Sequence, residues 1–495
     1  MAVNKTPNLG LHDWLGTEYV KREEIVENFR KIDDEFGASG RIGDLSSKIG
    51  ILNKRADWIS VKEFGAVGDG VADDTTAIQN ALNAINTNGG GVLYFPKGIY
   101  RITSALVIYD NTTIIGEGKI KVDSAVSSTA LTNANYGTDG TLKNYNIKIM
   151  NIGLEGGAYT SGGNPTTYPA GIKLGNVVGG MIFNVKVKGF DQDGIILESC
   201  ENVKVINNYV ENGRHGITIA AISSNVSKNI QVIGNYVYNQ EDTNILVTEN
   251  SVDVIISDNI CDKTNWGHGI DLAGCSKTIV KGNIIRRTKN ISTSGEACGI
   301  YIHDYLSYVS NHNVIEGNLI DVENNPGGSV VGIKLTNESN YTLIRANMIK
   351  DATIGISLMG NMSNTSIMPD DFVVCDNILQ GITSYGFYID IVAYGIISNN
   401  FINTINTANV MRLHSSTYGL TIQGNRVSGG STTVTINSNN YLNNNFINND
   451  SPISRPFSTP TTVNDSTAGD VATLKNDFNN LLSKLRAQGI LRSGY

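Results

Sequence analysis

Proline is scarce in this chain of 495 residues, with 9 against 53 glycines, and Lys and Arg together number 38 against 46 Asp and Glu. The net charge of −8 argues against nucleic acid as a partner, because nucleic acid calls for a basic footprint. It argues equally against docking on an anionic membrane. No apolar run approaches the ~20 residues of a bilayer-spanning helix, so no membrane insertion is expected. The start, Met1–Lys5, has no charged-then-apolar leader, and synthesis in a cytosol without a signal peptide is expected. Cysteines number 5, an odd count without zinc-ligand spacing, so Cys200, Cys261, Cys275, Cys298 and Cys375 read as small core thiols. Helical periodicity is absent from the long middle of the chain, which excludes an α/β architecture there.

What the middle does contain is repetition. A small residue followed by apolar, any, apolar recurs as Gly171-Ile172-Lys173-Leu174, Gly194-Ile195-Ile196-Leu197 and Gly216-Ile217-Thr218-Ile219. It continues through Asn244, Gly269, Gly299, Gly332, Gly355 and Gly386, with starts 23, 22, 28, 25, 30, 33, 23 and 31 residues apart. A second motif, Asn before two mostly apolar residues, places Asn208, Asn235, Asn259, Asn283, Asn318, Asn347, Asn377, Asn400, Asn425 and Asn445 at one phase. Stacked asparagines can hydrogen-bond from rung to rung. Each period is too short for a strand–helix–strand unit, and a propeller blade would need roughly 40–50 residues. The spacing predicts an all-β solenoid, a right-handed parallel β-helix, with loops of variable length at its corners.

The ends differ. Asp73 or Asp74 is placed to cap a helix over Thr75–Ile85, with Ala77, Ile78, Ala81, Leu82 and Ile85 on one face, and this helix would plug the solenoid. Ile25, Phe29, Ile32 and Phe36 and then Leu45, Ile49 and Leu52 repeat at coiled-coil spacing, as do Val471, Leu474, Phe478, Leu481 and Leu485. Three segments are expected: a helical trimerisation segment over 1–57, the β-helix over 58–450, and a linker with a coiled-coil helix over 451–495. A homotrimer is the expected assembly.

Gly65-Ala66-Val67-Gly68-Asp69-Gly70, then Asp73-Asp74-Thr75, then Ala77-Ile78-Gln79 resembles the opening of pectate-lyase-like β-helix proteins, bacteriophage tailspikes and tail appendages among them. The motif specifies a fold more than a chemistry. The resemblance implies a virion appendage, held to other tail proteins through its N-terminal segment and reaching a bacterial cell-surface polysaccharide or teichoic acid at host adsorption.

Side chains alternate along a strand, so the third residue of each repeat and the residue two further on face outward. Those columns read Thr218, Leu246, Asp271, Tyr301, Lys334 and Ala220, Thr248, Ala273, His303, Thr336; the preceding column reads Asp193, His215, Thr243, His268, Cys298. Asp271, His268, Tyr301 and His303 thus share two adjacent rungs, with Glu241 and Asp242 at the corner below, Arg214 and His215 one rung lower, and Trp266 beside His268. Paired carboxylates can divide acid and base roles, histidines titrate near neutrality, and exposed rings offer stacking faces.

The order is also similar to polygalacturonase-type glycoside hydrolases. Glu241-Asp242 stands where that family has Asp-Asp, and Gly267-His268-Gly269 matches its Gly-His-Gly. Gly213-Arg214-His215 replaces Asn-Thr-Asp, and Tyr301-Ile302-His303 replaces Arg-Ile-Lys, so the clamp for an acidic sugar is missing. The resemblance implies Asp242, Asp271 and Glu241 as candidate acid and base and His268 as an orienting group. Trp266, Tyr301, His303, His215 and Arg214 are candidate substrate contacts. The expected activity is endo-hydrolysis of a surface glycan. The alternatives are a lyase, for which Ca2+ would serve, a teichoic-acid phosphodiesterase, and a receptor-binding fibre without turnover. No metal site or cofactor is read from the residues.

Overall fold

A computed structural model describes residues 58–429, apart from 127, 139, 158–168, 223–224, 289–295, 323–328, 406–408 and 415–416. Outside that span it describes the strands Asn4–Lys5, His12–Asp13, Val434–Ile436 and Asn445–Ile447 and the residues Glu27, Asn449 and Ser483. The expected coiled-coil positions therefore lie outside the described residues. The N-terminal unit, Met1–Trp58, contains an antiparallel pair, Asn4–Lys5 with His12–Asp13.

The rest is a parallel β-helix. Three parallel sheets of 13, 15 and 14 strands run its length, and the chain visits each sheet in turn before stepping up one rung. The expected outward column pairs in register, Thr218 with Leu246, Leu246 with Asp271, Asp271 with Tyr301, and Tyr301 with Lys334. The apolar positions point inward and stack: Ile195, Ile217, Ile245, Ile270, Ile300, Ile333 and Ile356 are all fully buried. Burial of a whole Ile side chain contributes roughly 1.5–3 kcal/mol, repeated at each rung. The small residue before each strand is forced by space. A Cβ on Gly299 would sit 2.4 Å from Ile320 Cγ2 and 2.6 Å from the Gly332 carbonyl oxygen.

Between the 15-stranded and 14-stranded sheets the corner is a turn with one left-handed residue followed by an inward asparagine. The left-handed residues are Asn207, Gly234, Asp258, Gly282, Gly317, Ala346, Asp376, Asn399 and Gly424. Each asparagine that follows donates its backbone N–H and its Nδ2 to the Oδ1 of the next, as in Asn259 to Asn283 at 3.0 Å each. Nδ2 also donates back to a strand carbonyl, as in Asn283 to Ile256. The ladder runs from Asn208 through Asn425 and ends on Asn449, not on Asn445. Asn445 opens a strand and pairs with Thr421. The turn asparagine lies after the strand, where no apolar pair follows it.

The N-terminal end is closed as expected, with a different division of labour among the acids. The helix is Thr75–Thr87, and Ile78, Ala81, Leu82 and Ile85 are buried beneath it. Asp73 Oδ1 accepts the Thr75 N–H. Asp74 makes no cap; its carboxylate accepts the N–H groups of Val67 and Gly68 and so folds the glycine-rich turn. Gln79 exchanges two hydrogen bonds with the backbone of Val107, 2.8 and 3.2 Å, in the first strand of the 13-stranded sheet. It occupies polar groups that an open sheet edge would expose to a further strand. Cys200, Cys261, Cys275 and Cys298 are buried free thiols and Cys375 is partly exposed.

Replacing Asn283 by Ala removes the acceptor for two buried Asn259 donors. Each such loss costs roughly 1–3 kcal/mol. Asn283→Ala is expected to destabilise by about 3 kcal/mol in denaturant titration, whereas exposed Lys204→Thr stays within about 0.5 kcal/mol.

Candidate active site

The outward face of the 13-stranded sheet gathers the candidate residues, and hydrogen bonds tie them into two carboxylate–histidine groups. The first is built on strands Asp193–Glu198 and His215–Ala220, in which Asp193 pairs with His215. His215 Nδ1 lies 3.2 Å from Asp193 Oδ1, and its Nε2 lies 3.5 Å from Asp242 Oδ2. Thr218 donates to the same Asp193 oxygen. Arg214 Nε stands 3.8 Å from Asp242 Oδ2. Burial alone would lower the His215 pKa, but the two carboxylates outweigh it and push it up to about 9. Asp242 is partly buried, which raises its pKa, yet His215, His268 and Arg214 together hold it below the usual 3.8. Asp242 is therefore an ionised carboxylate. Gly267 makes room for it, since a Cβ there would lie 2.1 Å from Asp242 Oδ1.

The second group sits on strands Ile270–Ala273 and Glu296–His303. His303 Nε2 is 3.1 Å from Asp271 Oδ1, and its Nδ1 is 2.7 Å from the Asp304 carbonyl oxygen. A carbonyl can only accept, so Nδ1 carries a proton. Nε2 is the nitrogen that faces the Asp271 carboxylate. Burial works against the charged ring, and the hydrogen bond to Asp271 more than offsets it, so the His303 pKa is raised. Tyr301 stacks on His303 with centroids 4.2 Å apart, and Lys334 lies over the other part of this cluster, 5.5 Å from the Tyr301 centroid. Lys334 is itself paired with Glu296.

His268 stands between the groups, within electrostatic range of both Asp271 and Asp242. Its Nδ1 accepts the Cys298 N–H at 3.1 Å, so a neutral ring carries its proton on Nε2. Burial lowers its pKa, favouring that neutral form.

The structure thus brings Arg214, His215, Asp242, His268, Asp271, Tyr301 and His303 to one face. Both His215 nitrogens are occupied by carboxylates, so this ring positions Asp242 and has no nitrogen left over for substrate. Glu241 is buried, 7% exposed, with its carbonyl held by the Trp266 N–H. Trp266 is half exposed. Asp193 and Thr218 were not singled out from sequence, although Asp193 heads the column that contains His215. Arg286 and Arg287 face another sheet, where they hold the buried Asp262. Among the described residues no group of three or more His, Cys, Asp or Glu could hold a metal ion. The carboxylates here are matched to histidine and arginine instead of to each other, which does not fit a Ca2+ site.

The fold is a parallel β-helix similar to that of pectate-lyase-like proteins. Residues 58–271 match the family described as rhamnogalacturonase A/epimerase, pectate lyase-like, and residues 174–374 match the one described as periplasmic copper-binding protein (NosD). The chain is 47% identical over 66 residues to mannuronan C5-epimerase AlgE1 of Azotobacter vinelandii, covering 12% of this chain and 5% of that protein. It is 27% identical over 156 residues to the pre-neck appendage protein of Bacillus phage B103, covering 30% of this chain and 17% of that protein. The chain thus matches only a small part of the length of these curated relatives. Among solved structures, the catalytic unit of a GH87 α-1,3-glucanase from Streptomyces thermodiastaticus is similar, with a TM-score of 0.56, 17% identity, and 76% and 67% of the two chains covered. Among the described residues no helix is long and apolar enough to cross a membrane.

The raised pKa of His215 makes its contribution to stability complete below the unfolded value of 6.5 and lost as pH rises through about 9. The stability gap between wild type and His215→Ala is therefore expected to be widest near pH 6 and to close towards pH 10. Thermal melts across that range read it directly.

Proposed function

We propose that this chain is a phage tail appendage that hydrolyses a bacterial surface polysaccharide within the polymer, with Asp242 as base and the Asp271–His303 pair as acid. The observation that carries the reading is the placement of two carboxylates, each held by its own histidine, on either side of His268. Asp242 faces His215 and Arg214, which hold its pKa down; Asp271 faces His303, a ring whose pKa is raised. Two carboxylates with different partners can divide acid and base roles at one site. The phage appendage relative supports the biological setting.

In the proposed reaction the Asp271–His303 pair gives its proton to the leaving glycosidic oxygen as the C–O bond breaks. Asp242 takes a proton from the water whose oxygen forms the new bond to the anomeric carbon. His268 donates from Nε2 to orient water or substrate between them. Tyr301 and Trp266 offer ring faces to the sugar, and Arg214 lies at the edge of the same face. Glu241, buried behind the Trp266 backbone, is a supporting carboxylate. The N-terminal segment would join the appendage to other tail proteins, and three copies would assemble side by side.

Incubation with purified surface polysaccharide should shorten the polymer, read by size-exclusion chromatography. Asp242→Asn and Asp271→Asn should each slow shortening by about 100-fold or more with an unchanged oligomer, since general acid–base groups contribute roughly 10²–10⁴. Products with unsaturated ends would reassign the chemistry to elimination, and phosphate-ended products to phosphodiester cleavage of teichoic acid. Binding without shortening would leave a receptor-binding fibre. His303→Gln removes the ring whose pKa is raised beside Asp271, so the alkaline limb of the pH–rate profile should move to lower pH.

A further inference from the structure

Two strands beyond Ile270–Ala273, the corner between the 13-stranded and 15-stranded sheets opens into a cleft of about 560 Å3 that contains none of the residues above. Its size falls within the range of small-ligand sites, roughly 300–1,000 Å3. Its floor is a built stack. The Asn340 N–H donates to Asn311 Oδ1, and the Asp370 N–H donates to Asn340 Oδ1, each at 3.0 Å. One wall is the loop bearing Thr365, Ser366 and Met368. That loop is tied across its base by the Asn361 N–H to the Ile367 carbonyl at 2.8 Å, and Asn361 Oδ1 accepts the N–H groups of Ser363 and Asn364. The far end is closed by Ala393 and Tyr418.

Exposed rings line the same corner. Tyr418 meets Tyr394 edge to face at 5.5 Å, and they are 38% and 60% exposed. Tyr341, next to the lining residue Asn340 in the chain, stacks on His312 at 4.8 Å and is 53% exposed. His312, Tyr341 and Tyr394 all hold left-handed backbone, φ 57°, 52° and 48°. Such a conformation costs a bulky residue of order 1–3 kcal/mol, where Gly or Asn would adopt it cheaply. Rings are thus held out to solvent at a cost to the fold.

The geometry points to a second saccharide-binding site, non-catalytic, for a neutral or cationic stretch of glycan. Ring faces, negative at the centre, suit the C–H face of a pyranose. The amide and hydroxyl groups of Asn340, Thr365 and Ser366 suit its hydroxyls. Glu338 and Asp370 contribute carboxylates, Asp371 is adjacent, and the lining residues include no Lys or Arg. A polyanion is disfavoured here. Burial, Asp371 and Glu338 all raise the Asp370 pKa, consistent with carboxylates crowded without a counter-charge. The near edge of the cleft, at Glu338 and Asn340, lies two rungs from the Asp271 strand, about 10 Å along the axis at ~4.8 Å per rung, and Tyr418 lies three rungs further on, so one long polymer could occupy both sites.

The test uses the full chain silenced by Asp242→Asn, so that binding is read without turnover. The probe is wall polysaccharide from a Bacillus strain, split by anion exchange into neutral and anionic fractions and cast into affinity gels. The neutral fraction should retard the protein. Adding Tyr418→Ala should weaken that retardation about tenfold, equal to about 1.4 kcal/mol, while Tyr418→Phe preserves it. Unchanged retardation of Tyr418→Ala would overturn the proposal. So would retardation only by the anionic fraction, or by neither. An unchanged melting temperature and oligomer for each variant excludes misfolding. Polymer shortening by wild type is scored separately, so failure of the hydrolase reading and failure of this one are distinguishable.

Discussion

Everything on this molecule's surface depends on the alignment of one rung with the next. Parallel backbone pairing alone tolerates slippage, and a slip of one residue would turn every inward side chain outward. Here the asparagine ladder fixes the register. Each ladder asparagine uses both donors of its amide and its backbone N–H on fixed acceptors, and its Oδ1 accepts two bonds from the rung before. Such a satisfied buried network specifies one arrangement and penalises any other. The outward columns inherit that alignment, which is why Asp271 and His303, 32 residues apart in sequence, meet at 3.1 Å.

The site exploits the same alignment electrostatically. In water, paired acids and histidines would titrate near their ordinary values. Stacked at one face, each carboxylate meets the cationic or titratable groups that a neighbouring rung presents. Asp242 is offered His215 and Arg214, and Asp271 is offered a histidine whose other nitrogen is committed to a carbonyl. Burial favours the neutral form of His268, and the Cys298 N–H on its Nδ1 leaves that ring's proton on Nε2. Proton inventory is thus set by side-chain and main-chain partners together.

The fold was legible in the sequence because its cause is periodic: small residue, apolar pair and turn asparagine recur, and each serves the same purpose at every rung. The columns containing Asp271, Tyr301 and His303 followed from alternation alone. What could not be read was local. The exchange of Asn445 for Asn449 at the last rung arises because the turn residue is defined by what precedes it, not by an apolar pair after it. Asp74 looked like a helix cap, yet its partners are the amides of Val67 and Gly68, six or seven residues back. The double engagement of His215 depends on the corner that swings Asp242 down towards it, and the loop beside Tyr418 has no repeat to announce it.

The glycine column carries an evolutionary consequence. It leaves no space inside a rung, so length can change only at corners, and the repeats indeed vary between 22 and 33 residues without disturbing the strands. Insertions and exchanges at those corners are exempt from the constraints on the coil. A lineage that trades such segments by recombination could revise what the exterior grips in single steps, inheriting the scaffold intact, and keep pace with a host that alters its coat.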